Sequence, residues 1–259
     1  MRRLHPALTV FSIVVLLILL WPLGYAGWIS FTPAEMLEPP TDQWSLRWYR
    51  LFFTSPQWLQ GMANSVVVAV LTVIGSIGCG TGVALAVTRW HFRGAQLLAA
   101  AVLLPLFVPG VVLGMALLPF MRALGLWGTL LSIAAAHSLW SLPVVFMVVR
   151  SALQEIDPDL ESAARGLGAQ PFAVFARVTL PLIMPAVAAG ATMAFVLSIN
   201  EFVMALFLGT PQAETLPKVI WPNLRYTLSP LVAAASGVFT LVTVTGLVTA
   251  WLLFHGRRR

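Results

Sequence analysis

The chain has 259 residues, 59% hydrophobic and 9% charged, with a mean hydropathy of +0.90. Soluble domains carry about 25% charged residues, so a water-solvated fold is excluded and a chain crossing a membrane several times is expected. The formal charge of +6 then reads as Lys and Arg at span ends rather than as a nucleic-acid surface, and the single cysteine, Cys79, excludes an internal disulfide framework.

A membrane-crossing helix needs about 20 apolar residues. Six windows provide them: 8–29, 62–88, 96–121, 129–149, 183–208 and 231–254. The expected fold class is an all-α membrane protein of six transmembrane helices, forming a single transmembrane domain over 1–259. Arg2 and Arg3 precede the first window, but its apolar run exceeds the 7–15 residues typical of a signal peptide core, so it reads as a spanning anchor. Trp28, Trp44, Trp48 and Trp58 fall in or beside the first outer loop, as an interfacial aromatic belt would. In the second window Gly75, Gly78, Gly80 and Gly82, with Ser76 and Cys79, read as close helix packing by small residues. The third window carries Pro105, Pro109 and Pro119 and is expected to be kinked or broken, either around a pathway or simply in its packing. His137 in the fourth window, near Ser138 and Ser141, reads as a satisfied interior residue.

Orientation follows from the basic residues. One side holds Arg2, Arg3, Arg89, Arg93, Arg150, Arg165, Arg177, Arg257, Arg258 and Arg259. The other holds Arg47, Arg50, Arg122, Lys218 and Arg225, offset by Glu35, Glu38, Asp42 and Glu214. Ten against five puts both termini and the loop at 151–182 in the cytoplasm.

That loop is polar, basic and helix-forming between two apolar spans. Asp157-Pro158-Asp159 supplies an N-cap, a first-turn proline and acid at the positive end of the helix dipole. The helix is expected to run through Leu160 and Leu167 and stop at Gly168. A second short helix from Pro171 through Val178 would present Phe172, Phe175 and Val178 as one stripe, and Leu180-Pro181 would end it and turn the chain back into the membrane. Two short helices with a glycine elbow make a knob suited to a socket on a soluble protein; an ordinary interfacial re-entry helix is the alternative.

The run Ala163-Ala164-Arg165-Gly166-Leu167-Gly168-Ala169, followed by Val178-Thr179-Leu180-Pro181, resembles the loop shared by membrane subunits of binding-protein-dependent ABC importers. The stretch Leu180 to Gly190, Phe195 to Phe202 and the tail from Phe207 to Pro230 are similar to permeases of the spermidine/putrescine type. The resemblance implies an ABC type I importer permease, or MetI-like, fold whose loop is a cytoplasmic coupling helix. Glu161, Ser162, Ala163, Ala164, Arg165, Gly168, Leu180 and Pro181 would couple it to an ATPase. The family's usual glutamate before the two alanines aligns with Ser162, and Glu161, about 100° round a helix, is the available substitute. The implied partners are two copies of an ABC ATPase subunit, a second homologous permease and an extracytoplasmic substrate-binding protein, in a bacterial cytoplasmic membrane. ATP and Mg would be bound by the ATPase, with no cofactor in this chain. The implied cargo is a polyamine, with an aminophosphonate, iron or an opine-like compound as alternatives.

Glu201 is the one acidic residue inside a window, where a charge costs about 2.5–3.5 kcal/mol on insertion scales. With Ser198 and Asn200 it would line a substrate pathway; the alternative is an interhelical contact with Asn200, a serine or His137. On a continuous helix Leu197, Ser198, Met204, Ala205 and Leu208 would share its face. No GxxxxGK[ST] loop occurs, and His5, His91 and His255 lack metal-ligand spacing, so no catalytic or metal residue is assigned. A stand-alone secondary transporter would be expected to carry more intramembrane ionisable groups than Glu201 and His137, and a membrane enzyme a polar cluster at the interface.

Overall fold

The structure is a computed structural model that describes residues 6–41 and 43–255. Arg2, Arg3, His5, Asp42, Arg257, Arg258 and Arg259 lie outside the described residues. Hydrocarbon offers no hydrogen-bond partners, so spanning segments must satisfy their own backbone, and the described elements are all helical. In order they are α1 (Pro6–Ile29), α2 (Arg47–Thr54), α3 (Pro56–Arg89), α4 (Ala95–Leu103), α5 (Gly110–Ala123), α6 (Leu130–Glu155), α7 (Pro158–Gly166), α8 (Pro171–Val174), α9 (Leu180–Asn200), α10 (Val203–Leu208), α11 (Leu216–Pro222) and α12 (Leu231–His255). Among the described residues five helices are long and apolar enough to cross a membrane, six if the bent pair α4–α5 is one broken span rather than a re-entrant loop.

That pair is the expected broken third window. Ala95–Phe107 and Gly110–Ala123 meet at 110°. Pro105 lies in a 3-10 turn, Leu104–Phe107, and Pro109 caps α5. Val108 is extended at φ −99°, the conformation a following proline imposes.

Contacts among the described residues group into two compact units, one from 6–60 with 219–242 and the other from 61–218 with 243–255. In the first, α1 exposes its apolar side chains all round from Leu8 to Tyr25, as a lipid-facing helix does, and buries Ile29 near its end. Ser30 and Tyr49 share a hydrogen bond at 2.7 Å. Trp48 and Trp58 are not belt residues as expected: amphipathic α2 turns Trp48 inward beside Phe52, and Trp58, in the first turn of α3, is buried against the Phe52 ring. Trp28 and Trp44 are exposed.

In the second unit α6 is the central element. One core cluster joins it to α5 and α10 through Ile133, Met121, Met204 and Leu208; another joins it to α3, α4 and α9 through Ala84, Ala99, Val145, Phe146 and Ile183. The glycines of α3 permit this closeness where they face α6. A Cβ on Gly80 would lie 2.9 Å from Val145 Cγ1 and 3.3 Å from the Phe146 backbone nitrogen, whereas one on Gly82 would meet nothing within 4 Å.

The fifth window departs from expectation at both ends. Helix runs without a turn from Pro171 to Asn200, because a π-helical turn, Phe175–Thr179, joins α8 to α9. There Leu180 N–H donates to Phe175 O, five residues back. Pro181 has no N–H, and the wider turn just before it absorbs the irregularity instead of ending the helix. At the far end the helix stops at Asn200 rather than continuing to Leu208, so Glu201 occupies a break and not a helical face.

Overpacking a helix contact costs about 1–3 kcal/mol. Gly80→Val should therefore lower the thermal unfolding midpoint of the detergent-purified chain, and Gly82→Ala should leave it unchanged.

Candidate functional site

The loop after α6 forms the expected knob. Asp157 caps α7 by accepting from Asp159 N–H at 2.9 Å, and Pro158 occupies the first turn. The helix closes with Leu167 N–H on Ala163 O, Ala169 N–H on Ala164 O and Gly168 N–H on Arg165 O. Gly168 takes φ +87°, a left-handed conformation glycine adopts without steric cost. The elbow leaves Leu167 91% and Phe172 79% exposed, an apolar tip on the projection. The expected aromatic stripe is altered: α8 buries Val174, and Phe175 and Val178 are half-buried in the π-helical turn.

The predicted coupling residues divide by environment. Ser162, Ala163, Arg165, Gly168 and Pro181 are exposed, and Ala164 and Leu180 are half-buried. Ser162 Oγ donates back to Pro158 O at 3.1 Å, and Arg165 Nε donates to Glu161 O at 3.3 Å. Glu161 is different. It is buried, and its Oε1 accepts from Arg89 Nε and from Thr179 Oγ1, both at 2.9 Å. Arg89 Nη2 also reaches Ile156 O at 3.5 Å. Glu161 therefore faces its own chain, and its carboxylate is turned away from the surface where Ser162 lies. A groove of about 640 Å³ runs beside it, lined by Leu85, Trp90, Phe172 and Phe175 among others.

The predicted pathway residues are not brought together. Ser198 is buried in a seam between α3, α6 and α9. Its hydroxyl donates to Thr72 Oγ1 at 3.1 Å, and Thr72 donates to Ala134 O at 3.4 Å. With that hydrogen so used, His137 Nδ1, 2.9 Å away, is the donor to Ser198 Oγ. His137 Nε2 is buried with no hydrogen-bond partner among the described residues. Ser76 and Ser141 share a hydrogen bond at 2.6 Å, and Ser138 donates to Thr72 O at 3.3 Å. Hydroxyls from each helix thus bond carbonyls or hydroxyls of the next, which fastens α3 to α6 along their length.

Asn200 is exposed and donates to Val196 O at 2.8 Å. Glu201 is buried, and its Oε1 accepts from Met204 N–H at 2.7 Å. It caps α10, supplying an acceptor that the break removed from the helical ladder. Neither Asn200 nor His137 is its partner in that bond.

Sequence reasoning missed Arg89 and Thr179. Arg89 had counted only toward orientation. Thr179, a lone hydroxyl between Val178 and Leu180, was the available signal.

Residues 76–255 match the family described as the binding-protein-dependent transport system inner membrane component. The putrescine transport system permease protein PotI of Escherichia coli strain K12 is 34% identical over 83% of this chain and 80% of its own. The spermidine/putrescine permease protein PotC of the same strain is 29% identical over 82% and 81%. A probable molybdenum ABC transporter permease of Haloferax volcanii is 35% identical over 76% and 74%. Among solved structures, a bacterial alginate ABC transporter in complex with an alginate-bound periplasmic protein shares the fold, with TM-score 0.75 at 17% identity over 94% of this chain and 91% of that one.

Losing a cap costs about 1 kcal/mol. Glu201→Ala should lower the unfolding midpoint of the purified chain, whereas Glu201→Gln, which keeps an acceptor for Met204, should not. With its helical architecture, bent α4–α5 pair and capped loop after α6, the chain belongs to the binding-protein-dependent inner membrane component family, the permease subunits of ABC importers.

Proposed function

We propose that this chain forms half of a polyamine translocation pathway and converts ATP hydrolysis on a partner into alternating access. The observation that carries the coupling half is the capped knob with its apolar tip, Leu167 and Phe172. Such a patch on a rigid projection is suited to a socket. The α7–α8 segment, including Ser162, Ala163, Ala164, Arg165 and Gly168, docks on one of two ATPase subunits, which hold the ATP and Mg. Leu180 and Pro181 lie where the knob passes into α9. A second, homologous permease completes the pathway, and a binding protein delivers cargo to the outer face. Both termini and the knob lie in the cytoplasm, as the basic residues favour.

ATP-driven closure of the ATPase pair would carry the knobs together and bias a bistable helix bundle toward the outward-facing state; hydrolysis resets it. Likeness to PotI and PotC supports a polyamine. Glu201, with Asn200 beside it at the break, is the group that would attract the cation, and Ser198 borders the same segment. A second reading, an oxyanion cargo, is favoured by the likeness to the Haloferax permease and by Arg47 and Arg50 on the proposed outer side.

The test is uptake into proteoliposomes holding the chain with its co-purifying partners and binding protein. ATP-dependent putrescine uptake is expected, unaffected by molybdate. Glu201→Gln should lower it about fivefold, the effect of about 1 kcal/mol, with assembly unchanged. Uptake of molybdate in place of putrescine would transfer the assignment to the second reading. Uptake that persists without ATPase subunits would overturn the coupling reading.

A further inference from the structure

Helix α7 is tied to the spanning helices by a polar cluster. Glu161 projects from α7 into the chain, and one of its oxygens accepts from both Arg89, the last residue of α3, and Thr179, the last residue of the π-helical turn before α9. The ion pair is sheltered, with the Arg89 and Glu161 side chains 13% and 9% exposed. Arg89 is further tied to Ile156 O at the end of α6, so its guanidinium reaches both the knob and the segment leading into it.

We propose that Arg89, Glu161 and Thr179 form the joint through which displacement of the α7 knob enters the spanning helices. Apolar contact resists compression but slides. An ion pair with directed hydrogen bonds, shielded from water, holds against pulling as well as pushing. A coupling element must do both, because closure and reset displace the knob in opposite senses. The attachment points also suit transmission. Arg89 ends the helix that the hydroxyl seam fastens to α6, and Thr179 precedes the helix that seam reaches through Ser198. Motion delivered at Glu161 therefore reaches α3, α6 and α9 as one packed block. Arg89 and Thr179 are positioning residues: they act through Glu161 and touch no cargo. The inference rests on the coupling role proposed above for the knob.

The test uses the assembled importer, captured through a tag on this chain with its ATPase subunits. Spin labels are placed at Asp159 on the knob and at Gly82 on α3, with the exposed Cys79 replaced by serine. The distance between labels is measured without nucleotide and after trapping with ATP and vanadate. In the otherwise unaltered chain it should be single and unchanged by trapping, because knob and helix move as one. R89K keeps a charge but loses the planar fork, and T179V keeps shape but loses the hydroxyl. Both should retain the ATPase and the nucleotide-free distance. On trapping they should shift it by on the order of 2 Å or split it into two populations. Variants that match the unaltered chain after trapping would overturn the joint, as would a distance in that chain that itself changes. Loss of ATPase capture in the variants alone would show that the cluster only shapes the knob, which also overturns the proposal. Failure of the unaltered chain to capture an ATPase would instead remove the coupling reading on which the joint depends.

Discussion

Backbone polarity in hydrocarbon is the constraint on which the rest of this structure depends. An N–H or C=O without a partner costs several kcal/mol there. It makes the described elements helical and dictates how each interruption is built. Where α4 gives way to α5, proline removes donors that would otherwise be orphaned, and a 3-10 turn holds the remaining bonds. Where α9 gives way to α10, no proline is present, and a buried carboxylate takes up the freed donor of Met204. Before Pro181 a π-helical turn moves the irregularity upstream, and the helix continues. Three breaks have three different solutions to the same accounting.

The same constraint explains where polar side chains lie. Of the two buried acids among the described residues, Glu161 answers an arginine and a threonine, and Glu201 answers a backbone amide. The hydroxyls of Thr72, Ser76, Ser138, Ser141 and Ser198 bond across α3, α6 and α9. Glycine brings those helices close enough for such bonds: a Cβ on Gly75 would lie 2.7 Å from Ser138 Oγ. Breaking a sheltered ion pair by removing one partner costs about 3–5 kcal/mol. The Arg89–Glu161 contact is thus more sensitive to loss of either partner than an exposed pair such as Arg47–Glu35, whose kind contributes about 0–1 kcal/mol.

Much of this was legible in the residues. Span number followed from apolar run lengths, the broken third crossing from Pro105 and Pro109, and the knob from Asp157, Pro158 and Gly168. These are local signals with local causes. What escaped depends on contacts distant in sequence or on balance within a helix. Glu201 carries no helix-breaking signature, so a continuous face was the natural expectation. Pro181 reads as a stop, yet the π-helical turn just before it changes its consequence. Trp48 and Trp58 were assigned to the interface by residue type, but their packing against Phe52, Trp48 on the inner side of α2 and Trp58 at the start of α3, decides their burial. Glu161 was considered for a partner's surface because its own partner, Arg89, is 72 residues away.

The central claim is that the knob's apolar tip is seated on an ATP-hydrolysing subunit. The most direct measurement places a photo-crosslinking amino acid at Leu167, irradiates native membranes and identifies the attached polypeptide by mass spectrometry. The account predicts an ABC ATPase subunit as the dominant product, absent when the crosslinker is moved to Leu19 in the lipid-facing α1. Lipid adducts at position 167, with no ATPase recovered, would mean the tip rests in the membrane interface and would contradict it.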